Sequence, residues 1–171
     1  MTNKEKVLAL ITEICGENTP YILRVGEIKD LIRYADRQII TLGEAFFMDK
    51  VRDRAEFYNR VKLTPANAKV GDGATVNLYT DRHACTIVKI TKRTITVQRD
   101  KATLDPNFKP IYPDGFFCTN QGEQTYTYER DTNGKLYTIY WSEKHNQYGK
   151  PNNYTLSRGR HEFYDYNFVL N

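Results

Sequence analysis

The hydrophobic rhythm of the chain changes near residue 70. Before that point apolar positions recur every three or four residues, the period of one helix face. Val7, Leu10, Ile11 and Ile14 follow this rule, and Gly16 is a natural stop. In VGEIKDLIRYADRQI, Ile28, Leu31, Ile32 and Ala35 form a second stripe. The stretch TLGE at Thr41–Glu44 has the form of a capping box. It predicts a helix from about Leu42 to Arg60, with Ala45, Phe46, Val51, Ala55 and Tyr58 on the apolar side and Pro65 closing it. The alternating charges of DKVRDRAEFYNR suit a solvated face with i, i+4 pairs.

After residue 70 the alternation is every second residue. ATVNLY, CTIVKI and TITVQR are rich in β-branched residues and read as strands, with TKR as a tight turn between the last two. TYTYER, KLYTIYW and YTLSRGRHEFYDY continue the pattern. DTNGK at 131–135 contains Asn-Gly, the strongest short hairpin signal, and predicts a hairpin between TYTYER and KLYTIYW. The expected fold is therefore α+β: amphipathic helices over 1–69, then an antiparallel β domain over 70–171, built as a small barrel or a strongly curved sheet. Residues 101–123 hold three prolines, two glycines and four aromatics. They read as a long ordered loop, of the kind that serves as a lid or binding loop.

Composition narrows the function classes. Hydrophobic residues make up 40% of the 171, enough for a real core, and no run approaches the roughly 18 apolar residues of a membrane span. The first residues, MTNKEKVLALITEICGEN, carry Glu5 and Glu13 within the apolar stretch and do not read as a signal peptide. Cys15, Cys85 and Cys118 are odd in number and widely spaced, as expected of buried thiols in a cytoplasmic protein. The net charge of +4 divides evenly between the two parts, with no basic tail. A general nucleic-acid binder concentrates its charge more than this, whereas a small anionic ligand needs only a few placed cations.

The candidate chemistry follows. Cys85 near His83 is the closest approach to a nucleophile pair, but it runs into an apolar strand and reads as core. The histidines His83, His145 and His161 with Asp81 and Asp165 match no metal spacing. VGDGATV leads into a strand and not a helix, so it is no phosphate loop. No cofactor is expected, and the chain does not read as an enzyme; a nucleotide-degrading phosphodiesterase using His83 or His161 is the minor possibility. What remains is cation beside ring. Arg82 and His83 stand at the mouth of a strand, Tyr128 and Arg130 share a strand face, Arg158 and Arg160 lie two apart on one face, and Phe117 and Asn120 sit on the loop. Arginine holds phosphate bidentately and an aromatic face stacks a base. Each arginine taken singly is as well explained by a cross-strand ion pair.

The ordered motifs VGDGATV, YTDRHACTIVKI, ITVQRDKAT, YTYERD, NGKLYTIYW and SRGRHEFYDYNF resemble a family of short proteins encoded by phages and prophages, over roughly residues 70–168. The pattern is similar to the phage Thoeris anti-defence proteins of the type-one sponge class. That resemblance implies sequestration, without degradation, of a cyclic ADP-ribose isomer or cyclic oligonucleotide in the cytoplasm of an infected bacterial host. It implies a homo-oligomer that binds its ligand between protomers. It puts Arg82, Arg130 and Arg160 on phosphates, Phe117 on a base and Asn120 on base or ribose. The helical part lies outside the resemblance. The alternative partner is a nucleic acid or a defence protein. On that reading the chain inhibits a nucleic-acid-guided complex, in the manner of an anti-CRISPR protein, through Arg33, Arg37, Arg52, Arg54 and Arg60.

Overall fold

A computed structural model of the chain describes residues 1–168. The fold is α+β, in two compact units, Met1–Asn67 and Ala68–Asn171.

The first unit holds α1 (Asn3–Cys15), α2 (Thr19–Ile22), α3 (Gly26–Arg33), α4 (Ala35–Leu42) and α5 (Glu44–Val61). Their apolar faces meet in one core of Val7, Leu10, Ile11, Ile22, Ile28, Leu31, Ala35, Phe47, Val51 and Ala55. The second stripe is divided between α3 and α4, because the backbone leaves helical geometry at Tyr34 (φ −103°, ψ 15°). The capping box is not at Thr41. That residue lies in the last turn of α4 and its hydroxyl donates back to the Arg37 carbonyl. Gly43, at φ +85°, both ends α4 and precedes α5, a conformation that favours glycine. The capping box is formed instead by Thr2 and Glu5 at the start of α1. On α5, Val51 and Ala55 are buried as expected, but they continue a stripe from Phe47, which is fully buried, and Phe46, expected inside, is 63% exposed.

The second unit is antiparallel throughout. Its strands are β1 (Gly73–Asn77), β2 (Arg82–Ile90), β3 (Thr94–Arg99), β4 (Lys101–Leu104), β5 (Tyr126–Glu129), β6 (Leu136–Ser142), β7 (Gln147–Tyr148) and β8 (Thr155–Arg158). Six form one sheet in the order β7-β6-β3-β2-β1-β8, and β4 pairs with β5 in a small second sheet. A single bridge, Gly149 to Thr155, links the ends of the order without making a closed ladder. Alternation gives the large sheet one apolar face, with Ala74, Val76, Cys85, Ile87, Ile95, Val97 and Ile139 buried on it. The opposite face carries Gly73, Thr75, Ala84, Thr86 and Gln98.

Two expectations are corrected here. Asn-Gly makes a tight turn, with the Gly134 amide donating to the Asp131 carbonyl, but β5 and β6 do not pair with each other. β4 pairs with β5 and β3 with β6, so β3–β4 and β5–β6 form one long bent hairpin and residues 130–135 are an excursion within its returning arm. Gly134 is required there because a Cβ would meet the Arg99 carbonyl oxygen at 1.9 Å. The irregular segment is also shorter than expected: Lys101–Leu104 is strand, and the loop that closes the hairpin begins at Asp105.

Candidate anion site on the polar face

Asp100 joins β3 to β4, and its carboxylate is fully buried. A buried carboxylate needs hydrogen-bond donors and positive charge. It has both. The Thr86 hydroxyl reaches its two oxygens at 2.9 and 2.8 Å. The Arg130 guanidinium donates to Oδ1 at 3.1 Å and the Arg160 Nε to Oδ2 at 2.8 Å. Arg160 also donates through Nη2 to Thr86 Oγ1 at 2.6 Å, and Arg130 through Nη2 to Gln98 Oε1 at 3.4 Å. Two arginines from distant parts of the chain thus converge on one carboxylate. Their side chains stay 42% and 32% exposed, so both arginines remain open to solvent in part.

Arg160 gets there by passing over a glycine. Gly159, at φ +84°, ends β8 and turns the chain, and the Arg160 side chain then lies against Gly73. A Cβ on Gly73 would stand 2.8 Å from Arg160 Cγ and 3.0 Å from its Nη1. Gly73→Ala is expected to push Arg160 off Asp100 and cost on the order of 1 kcal/mol, read as a lower denaturation midpoint with an unchanged m-value. Arg158 does not share a face with Arg160. It pairs with Ala74 and lies on the apolar side of the sheet, while Arg160 reaches Thr86 on the polar side, because Gly159 breaks the alternation between them.

A second ion pair forms at the adjacent residue of β3, on the other face by register: Arg99 lies opposite Cys85 and His83 opposite Val76. Arg99 donates to Glu162 Oε1 at 2.6 Å and to His83 Nδ1 at 2.6 Å. Glu162 Oε2 accepts the Ala84 amide at 2.8 Å, and the Glu162 amide donates to the Tyr128 hydroxyl at 3.1 Å. Accepting at Nδ1 fixes the His83 proton on Nε2. Burial first, and then the Arg99 charge, lower its pKa to about 4. His83 is therefore neutral at pH 7, and it charges more readily in the unfolded chain, where the value is about 6.5. Its contribution to stability is complete above pH 6.5 and is lost as pH falls from there to about 4. His83→Gln is expected to flatten this window, worth on the order of 2 kcal/mol, in a series of denaturation midpoints against pH. Glu162 has the opposite sign: burial raises its pKa, so its protonation favours the fold as pH falls and partly offsets the loss.

Arg82 lies at the margin, stacked on Phe163 at 5.6 Å and donating to His161 Nε2 at 3.4 Å. Phe117 is exposed on the loop, its amide held by Asp114 Oδ1. The Asn120 side chain is committed to loop structure: Oδ1 accepts the Ile111 amide and Nδ2 donates to the Lys109 carbonyl, both at 2.9 Å. The loop is pinned to 164–167 by the Cys118 amide on Asn167 Oδ1 and by Gln124 on the Tyr164 backbone. Of the eight candidate residues, Arg130 and Arg160 share Asp100, and His83 and Tyr128 join the separate Arg99–Glu162 pair. Among the described residues no hydrogen bond or ring contact ties Phe117 or Asn120 to either group.

Sequence reasoning missed Asp100, Thr86, Glu162 and Gly73 as parts of the site. Cys85 is fully buried, and burial raises its thiol to about pKa 12, so it carries no thiolate at pH 7. Cys15 and Cys118 are likewise buried free thiols. Among the described residues no cluster of three His, Cys, Asp or Glu forms a metal site, and no helix is long and apolar enough to cross a membrane. No family model, curated protein or solved structure matches this chain.

Proposed function

We propose that the chain is a phage anti-defence protein that binds a nucleotide-derived signal, a cyclic ADP-ribose isomer or cyclic oligonucleotide, and holds it without chemical change. The observation that carries this reading is the Arg130–Asp100–Arg160 triad: two partly exposed arginine side chains held by one buried carboxylate. The triad carries one surplus positive charge, and its geometry is fixed before any ligand arrives, which lowers the cost of binding. A phosphate meets both forks from outside while Asp100 holds them from within. Arg82 and the ring of Phe163 supply a further cation and a stacking face. A strongly curved sheet, joined at its ends through the Gly149–Thr155 bridge, would hold these groups rigid. A homo-oligomer would place a second copy of the site across the ligand, with Phe117 as an exposed ring for the base.

Isothermal titration of the purified chain with cyclic ADP-ribose isomers and cyclic dinucleotides tests the reading. A saturable heat with at least one of them, at micromolar affinity or tighter, is expected. A flat titration with every member contradicts it.

One observation favours a second reading. In the helical unit Arg33 stacks on Tyr34 at 5.1 Å and Arg60 on Phe57 at 5.8 Å, and both rings are 40% exposed. Such pairs suit a nucleic acid or a protein–RNA defence complex as partner. Binding of that kind weakens steeply with salt.

A further inference from the structure

A large cavity of the β unit lies away from the arginines. It measures about 890 Å³ and is formed where the end of β1 faces the turn between β7 and β8. Asn77, Tyr79, Gln147, Asn152 and Tyr154 line it, and none of its lining residues is charged. A second cavity of about 360 Å³ adjoins it and shares Asn153 and Tyr154 with it. Tyr140, Trp141 and a single charge, Lys150, line that second part. The two together make a groove with a ring at each stage along its length.

The tyrosines are exposed, and two of the groove's rings rest on a neighbouring ring. Tyr79, Tyr140 and Tyr154 are 85%, 66% and 41% exposed. Tyr154 rests edge-on against buried Tyr137, with centroids 5.3 Å apart, and Trp141 rests edge-on against Tyr148 at 5.0 Å. The indole nitrogen is engaged by Glu143 at 2.9 Å, which leaves the ring itself for contact. Between the rings stand side-chain amides. Asn77 is held by the Thr155 carbonyl and the Ser157 hydroxyl, whereas among the described residues the amides of Gln147 and Asn152 make no hydrogen bond.

These features select a ligand class. Volumes of roughly 300–1,000 Å³ suit small ligands. An amide offers both a donor and an acceptor, which matches a pair of neighbouring hydroxyls. The electron-rich face of a fixed ring attracts the C–H edge of a saturated ring. With one lysine in the whole groove, the phosphate contacts that dominate nucleic-acid affinity are missing. We infer that this groove is a binding site for a neutral oligosaccharide, with Tyr154 at the junction of two sugar subsites.

Trp141 is the only tryptophan in the chain, so its fluorescence reports on the second subsite alone. The full chain is titrated with maltotetraose, cellotetraose and chitotetraose, with their disaccharides, and with octauridylate as the charged comparison. A saturable change in emission is expected with at least one tetrasaccharide, at least tenfold tighter than with its disaccharide. Tyr154→Ala should abolish the response. Because Tyr154 also supports Tyr137, Tyr79→Ala is the second variant: its ring is on the surface, and it should weaken tetrasaccharide binding at least fivefold with an unchanged circular dichroism spectrum. No saturable response to any of the sugars overturns the inference. So does a response confined to octauridylate, or sugar binding that neither tyrosine variant alters.

Discussion

Asp100→Asn is expected to lower the stability of the chain by about 3 kcal/mol, because breaking a buried ion pair by removing one partner leaves the other charge uncompensated. Here two charges are left, on Arg130 and Arg160, and the neutral amide of the variant can answer neither of them fully. The partial exposure of both arginines keeps the loss at the lower end of the usual range, since each can turn toward water. On a unit of this size the change corresponds to a fall in Tm of roughly 12–20 °C. A second consequence separates a structural triad from a binding one. The variant has lost a negative charge behind two guanidinium groups, so sulfate or phosphate should raise its Tm more than that of the native chain. A variant that melts early and gains nothing from either anion would place the triad among purely structural contacts.

Arg160 carries the largest expected effect on binding. Arg160→Ala should reduce affinity for the cyclic nucleotide at least 100-fold, roughly 2.8 kcal/mol. It also leaves buried Asp100 with Arg130 and Thr86 alone, so alanine by itself confounds folding with recognition. Arg160→Lys resolves this. The ammonium can still sit beside Asp100 as a point charge, but it offers no fork to a phosphate. Its Tm should stay within a few degrees of the native value, while affinity falls roughly 10- to 100-fold. Native affinity in the lysine variant would mean that only charge matters at this position, and that the fork is not used.

The secondary structure was legible where periodicity is strong. Val7, Leu10 and Ile11 on α1, and the alternation of Tyr137 and Ile139 on β6, report burial directly, because one face of each element must be apolar, whereas Ala84–Ile87 on β2 is buried on both faces. The turns were less legible, since they answer to partners far along the chain. Thr41 and Glu44 have the spacing of a capping box, yet Gly43 between them is the residue that can hold φ +85°, and it sets the boundary. Asn133-Gly134 makes the turn its chemistry dictates, but pairing is decided by β3 and β4, which take β6 and β5 as partners. The apolar face of β3 and β6 outweighs the local hairpin.

The candidate site was legible by residue type and not by partner. Neighbouring acids in the sequence, Asp81 beside Arg82 and Asp131 beside Arg130, look like natural ion-pair partners. In the fold Asp81 accepts the Asp165 amide and Asp131 the Asn133 amide. The true partner of Arg130 is 30 residues away and that of Arg160 is 60 away. Nothing local marks Asp100 as buried: it follows Arg99 and precedes Lys101, like a surface charge at a strand end. Its burial comes from the bend between β3 and β4, which only the long hairpin creates.

The most direct test of the central claim is capture and release. Purified protein is mixed with each cyclic ADP-ribose isomer and cyclic dinucleotide, free ligand is measured by chromatography, and the mixture is then heated and measured again. The account predicts that one ligand disappears from solution and returns chemically intact when the protein is denatured. A ligand that returns as a new species would contradict sequestration and require catalysis at the site, and ligands that all remain free throughout would contradict the binding claim itself.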